Sequence, residues 1–420
     1  MLIAIISIAI LTVVATEFAY STRVDLQLAA NQRDGLQAYY LARSGLGLSR
    51  LVLKFQKQLN STQIPNLAGL LQQFAPQGST APTPSGPSSL NLQIWRMAKV
   101  DCHMLRGMVR SEDAGGPDET RPMKAGSSEL DFDQEFPDVA REQQRVSFGG
   151  FEGCFNATIS DEEEKLNLVK VDSGASAALP VVGRLLDLFG DKRFEFLFDH
   201  EDANKVKVTP QEVVLAMKDW IDEDETQSTL NLSGQGEVFL KGFSDEGGGY
   251  DRYEPRYKPK NARLDSLEEL YTVHGVSDAF MAAFRDRLTV YPDVNANLNI
   301  NTDDPVMLYM AILSVSNPNH PDPRLQDPLF IDRLIRQIRT ARMYAFFGMS
   351  VLDFVGVVQS AGVPINETIK NNVQNNRWVS DKSSTYRIES VGEAGSVQKK
   401  ITAVVRLDEG LGRLVYWREE

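Results

Sequence analysis

The sequence predicts an α+β protein in which a long N-terminal helix packs on an antiparallel sheet, and a large all-α domain is inserted between the strands of that sheet. Three observations carry the prediction. The first sixty or so residues hold a helical pattern without a breaker. Alternating apolar and polar runs appear before residue 160 and again after residue 385. The two hundred or so residues between them read as helix.

The helix begins in an apolar run. Leu2 to Ala15 carries no charge, its polar residues are Ser7 and Thr12, and the first charge is Glu17. A full span needs about 20 apolar residues, so the run is short for one. It could be the core of a cleaved signal peptide, but no basic stretch precedes it and no helix breaker follows. No Gly or Pro occurs before Gly35, and the first Pro is Pro65. Leu41, Leu48, Leu51, Phe55 and Leu59 then recur at helical spacing and are expected on one core-facing stripe. Residues 1 to about 58 therefore read as one helix of roughly 85 Å at 1.5 Å per residue. Residues 1–22 are expected in the membrane.

Residues 60–90 are rich in Pro, Ser, Thr and Gly and read as a linker. Strand-like runs follow at Leu92–Val100 and Val146–Ile159, separated by an acidic stretch with Gly115, Gly116 and Pro117 that reads as a surface loop. Helical segments are expected at Pro180–Phe189, at Thr209–Ile221 with a Thr209/Glu212 capping box, at Leu267–Val273 with Phe280–Leu288, at Pro328–Phe347 and at Leu352–Ser360. Thr385–Ser390, Val397–Leu407 and Arg413–Trp417 return to strand chemistry. The expected division is 1–22, 23–160, 161–378 for the insertion and 379–420 for the closing strands.

Composition narrows the function. Apolar residues make up 42% and charged ones 24%, as in an ordinary globular protein. Lys and Arg number 44 against 57 Asp and Glu, a net charge of −13 that opposes a nucleic-acid partner. The two cysteines, Cys102 and Cys154, form no C-x-x-C pair, so structural zinc is excluded. They suit one disulfide in an oxidising compartment, the alternative being two unrelated buried thiols. Closing a loop of about 50 residues would contribute on the order of 4 kcal/mol in the chain-entropy model. His103, His200, His274 and His320 are scattered, and no H-E-x-x-H, G-x-S-x-G or Walker loop occurs, so no enzyme is expected.

One cluster stands out. Asp219, Asp222, Glu223, Asp224 and Glu225 crowd the C-terminal end of an expected helix, where the dipole already places negative charge. Oxygen ligands in a flexible loop suit Ca²⁺; the competing reading is a solvated face. Further carboxylates could come from Glu237, Asp245, Glu246 or Asp251, of which Asp251 is the preferred choice. The metal ligands expected are thus Asp219, Asp222, Asp224, Glu225 and Asp251. Leu267–Val276 resembles half of a helix-hairpin-helix, but Asp265, Glu268, Glu269 and Asp278 would repel phosphate, so it reads as a packing hairpin.

Several blocks, in order, resemble the K-type minor pseudopilin of type II secretion. They are Glu17–Ser21, Leu28–Asp34, Ala38–Gly45, Asp161 with Lys165–Asn167, Asp219–Asp224, Tyr257–Asn261, Leu264–Leu270 with the Val273–Val276 turn, and Asn299–Thr302. The stretch Asn231–Gly249 and the loop Ser111–Gln144 are longer than this family leads one to expect. The resemblance implies a type IV pilin-like fold with a large helical insertion, and a calcium site in the insertion. It also implies a tip complex with the I and J minor pseudopilins, next to other pseudopilins, with the secretin and secreted proteins as further partners. The location implied is the inner membrane, crossed once, with the bulk of the chain in the periplasm. No acid precedes Glu17, where stacking pilins carry a Glu near the start, which fits a subunit at the tip. The alternatives are a minor pilin of a type IV pilus and a membrane-anchored periplasmic hydrolase.

Overall fold

The computed structural model describes residues 2–61, 93–102, 147–148, 151–201, 205–232, 236–344, 348–372, 376–408 and 410–420. The expected linker and the Ser111–Gln144 loop lie outside the described residues. Helix α1 runs unbroken over Leu2–Ser61. No described helix is long and apolar enough to cross a membrane.

A short helix α2 (Ile94–Met97) leads to the strands β1 (Val100–Asp101), β2 (Ser147–Phe148), β3 (Phe151–Glu152) and β4 (Cys154–Asp161). The chain then leaves the sheet and builds a block. It comprises β5 (Leu166–Asn167), α3 (Ala175–Phe189), α4 (Phe196–Asp199), α5 (Pro210–Ile221), β6 (Thr226–Leu230) and β7 (Phe239–Asp245). It continues with α6 (Asp278–Phe284), β8 (Leu288–Thr289), β9 (Leu298–Asn299), α7 (Pro305–Val315), α8 (Pro328–Tyr344), α9 (Val351–Ser360), α10 (Glu367–Asn371) and β10 (Val379–Ser380). The strands β11 (Thr385–Ala394), β12 (Val397–Arg406) and β13 (Arg413–Glu419) close the chain. The sheet order is β1-β4-β11-β12-β13, antiparallel throughout. The block thus enters between neighbouring strands, as the sequence predicts. It is mostly helical and also carries the two-stranded pairings β5–β8, β6–β7 and β9–β10. Because β10 pairs with β9, the sheet resumes only at Thr385.

Helix α1 lies on β4, β11 and β12. Its buried face is made of Ala38, Leu41, Ala42, Gly45, Leu46, Ser49 and Leu53. This corrects the expected stripe: Leu51 and Phe55 face out, at 55% and 54% exposure. The buried line runs through Ala38, Ala42, Gly45, Ser49 and Leu53, at steps of four, three, four and four, and Leu51 and Phe55 lie off it. On that line a Cβ on Gly392 would lie 2.0 Å from the Ala38 carbonyl oxygen. Cys102 and Cys154 are joined by a disulfide, with Cα atoms 5.6 Å apart, between the paired edges of β1 and β4.

The expected strand at Leu92–Val100 is instead the helix α2 followed by β1. There Gln56 accepts a hydrogen bond from the Ile94 amide at 2.7 Å, and Trp95 packs edge-on against Tyr386 at 5.5 Å. Tertiary contacts override the strand propensity of LQIW. Helix α7 escaped the sequence pattern because it is buried on all sides, from Val306 and Met307 to Ser314 and Val315, so it has no polar face to reveal a period.

Candidate cation site

Helix α5 positions the site. Thr209 accepts a hydrogen bond from the Glu212 amide, Glu212 answers to the Thr209 amide at 2.7 Å, and Pro210 takes the first helical position. Val213, Val214, Met217 and Trp220 anchor the helix in the core of the block. Its last turn therefore presents Asp219 and Asp222 at a fixed height. The chain next forms the hairpin β6–β7, whose return brings in Glu246. Asp219, Asp222 and Glu246 each place one carboxylate oxygen within 4.8 Å of the others. Among the described residues this is the one such gathering of three acidic, His or Cys ligands.

Burial makes the gathering costly. Glu246 is 6% exposed, and neither of its carboxylate oxygens has a hydrogen-bond partner. Asp222 Oδ1 is likewise buried without one, while its Oδ2 accepts from Lys218 Nζ at 2.7 Å. Asp219 Oδ1 accepts from the Ser228 amide at 2.9 Å. Burial, then the charges of Asp219, Asp222 and Asp224, push the Glu246 carboxyl up to about 7; the Asn261 amide opposes this without closing a hydrogen bond. Burial, joined by the Asp222 charge, raises Asp219 to about 6, against the opposing Ser228 bond. Burial also raises Asp222, although Lys218 pulls the other way. Lys218 also bonds Asp172 at 2.7 Å, so its charge is shared.

The other expected ligands stand apart. Asp224 pairs with Lys241 at 2.9 Å and accepts the Thr226 amide, which hold its carboxyl below the usual range. Glu225 is exposed, and its backbone carbonyl accepts from the Glu246 amide. Asp251 is exposed and lies outside the gathering. Glu246, named in the sequence only as one of four possibilities, is the residue that arrives. Its signal was concealed because the pairing of Thr226–Leu230 with Phe239–Asp245, which brings it back, has a weak strand pattern. Asn261 adds a further oxygen: its Nδ2 donates to the Asp224 carbonyl, φ is +48°, and Oδ1 is buried and unpartnered. Orphaned carboxylate oxygens gathered in this way suit a hard, oxygen-seeking cation.

The Leu267–Val276 segment is a packing turn. Leu267, Leu270, Val273 and Val276 are buried, and Gly275, at φ +82°, turns the chain where a Cβ would strike Val208. Ser277 then caps α6 by accepting from the Phe280 amide.

No family model matches the chain, and no curated protein matches it in sequence. A chain of the crystal structure of the GspK–GspI–GspJ complex from the type 2 secretion system of enterotoxigenic Escherichia coli is similar to it. The TM-score is 0.41 and the identity 16%, over 67% of this chain and 88% of that one. No residue role is carried over from that likeness.

Proposed function

We propose that this chain is a K-type minor pseudopilin, a non-enzymatic subunit that caps a type II secretion pseudopilus and nucleates its assembly with the I and J minor pseudopilins. One observation carries the reading: sequence blocks on which the resemblance rests meet in pairs, some from neighbouring stretches and one across more than a hundred residues. Asn299 of one block donates to Asp161 of another at 3.0 Å. Asn261 donates to the Asp224 carbonyl, and Lys260 bonds Asp265 and Glu269 at 2.7 and 2.9 Å. These contacts support reading the blocks as parts of one folding pattern.

The inserted block supports a place at the tip, because a bulge of this size on one side of the sheet would obstruct copies stacked along a filament. In this reading the apolar start of α1 anchors the chain once in the inner membrane, and the rest stands in the periplasm. Ca²⁺ would be held by Asp219, Asp222 and Glu246, with Asn261 beside them. Its charge would neutralise the crowded carboxylates and tie α5 to the returning hairpin. The full chain, co-produced with the I and J subunits and extracted in detergent, should elute with both as a discrete complex. Recovery along the filament at a stoichiometry near that of the major subunit would overturn the reading.

A further inference from the structure

The geometry points to a clamp: the consecutive carboxylates Asp161, Glu162, Glu163 and Glu164 hold the inserted block in one orientation on the sheet. The need for a clamp follows from topology. The block joins the sheet through two crossings only, after Asp161 and before Thr385. These crossings are neighbours, since Asp161 pairs with Tyr386 and the Glu162 amide donates to the Thr385 carbonyl at 3.1 Å. Two adjacent strands leaving a sheet side by side make a hinge axis.

The run closes that hinge toward β8, β9, β11, α2 and the returning crossing. Asp161 accepts from Asn299 of β9 at 3.0 Å and from Ser383 in the returning crossing at 2.5 Å. Glu162, with a fully buried side chain, accepts from Arg387 of β11 at 2.6 Å, Lys165 at 2.9 Å and Thr289 of β8 at 2.5 Å. Glu163 accepts from the Ser384 amide and hydroxyl at 3.0 and 2.8 Å, while its carbonyl takes the Asn299 amide at 2.7 Å. Glu164 pairs with Arg96 of α2, which reaches on to Asp303 at 3.2 Å and the Asn301 carbonyl at 2.6 Å. Swinging the block would break directional bonds in β8, β9 and α2 together.

Buried charges are a poor source of stability, because desolvation offsets most of their attraction. Their bonds are directional, so what they supply here is a single geometry. On the far side Arg406 of β12 donates to the Tyr291 carbonyl at 2.6 Å, a single directional bond, while the apolar contact of Tyr416 with Tyr291, tilted at 5.2 Å, tolerates sliding.

The test uses the full chain in detergent, with the native cysteines bridged and spin labels on Gln337→Cys of α8 and Lys399→Cys of β12, both exposed positions. The unaltered clamp should give one narrow label-to-label distance. Asp161→Asn with Glu163→Gln, which keep shape and remove charge, should leave the circular dichroism unchanged while adding a second, longer distance. Arg96→Gln, at the outer edge of the clamp, should do the same and carries the test if the double variant does not fold. Tyr416→Ala should keep the single narrow distance. Folded clamp variants that retain it, or a spread caused by Tyr416→Ala alone, would overturn the proposal.

Discussion

Glu246 and Glu162 show how one carboxylate can be a cost and another a support. Glu246 is buried among like charges with both oxygens unpartnered, so removing its charge without changing its shape should help the metal-free protein. Glu246→Gln is expected to stabilise the chelated form by about 1–3 kcal/mol, because it removes a buried charge that burial and the neighbouring carboxylates disfavour. It should also shrink the rise in melting temperature on adding millimolar Ca²⁺; an undiminished rise would remove Glu246 from the site. Glu162 is the opposite case. Burial alone would raise its carboxyl, but Lys165, Arg387 and the Thr289 hydroxyl outweigh it and hold it below its ordinary 4.5. A depressed folded-state value means the stability is present above the unfolded value and is lost as pH falls through the folded one. Glu162→Gln should therefore cost about 3–5 kcal/mol at neutral pH, as expected when one partner of a buried pair is removed. The gap to wild type in urea melts should close below about pH 4.5; a gap that does not change with pH would contradict the assignment.

Helix α1 on the sheet is the decisive contact among the elements. Gly392 faces the helix backbone, where a Cβ would lie 2.0 Å from the Ala38 carbonyl oxygen and 2.5 Å from the Ala42 nitrogen. Gly45 approaches Ser390 and Phe155 in the same way from the helix side. Gly392→Val should push helix and sheet apart at a cost of at least about 1–3 kcal/mol, the range for overpacking a core. Proteolysis should then cut within the second half of α1 faster than in wild type. Equal protection would show that the helix is held by its remaining contacts. The sequence revealed the helix and the three last strands, because each is long and strongly patterned. The face that α1 buries was not legible: Leu51 and Phe55 look like core residues until the sheet is seen to lie against the line of Ala38, Ala42, Gly45 and Ser49 instead.

At the scale of the molecule, the core of the block lies beside two smaller clusters under α1. One of these clusters gathers Leu46, Leu53, Trp95, Tyr386 and Val405; the core of the block gathers Leu185, Met217, Trp220, Leu308 and Phe354. Of the four tryptophans, Trp220 and Trp95 report on different places, since Trp220 lies between Asp219 and Asp222 while Trp95 packs edge-on against Tyr386 in the sheet core. Adding Ca²⁺ to the chelated full chain should change the intrinsic fluorescence. That change should vanish in Trp220→Phe and persist in Trp95→Phe. The reverse result would remove the cation from the end of α5.

The order of long helix, strands, block and strands was determined by the sequence itself, because periodicity, breakers and caps are local properties. So were the Thr209 capping box and the crowding of acids after Asp219. The cysteine pair could be named from the sequence, but its bridging awaited the β1–β4 pairing that sets the two side by side. Which acid completes the candidate site was decided by tertiary structure alone. Asp251 was favoured for its nearness to the Tyr253–Asn261 segment, yet the hairpin returns Glu246 to the end of α5 and leaves Asp251 in solvent. The run from Asp161 to Glu164 places four acids side by side. It is buried because β8, β9 and β11, which arrive more than a hundred residues later, supply its donors. A charge pattern states what must be satisfied; only the fold settles which groups satisfy it.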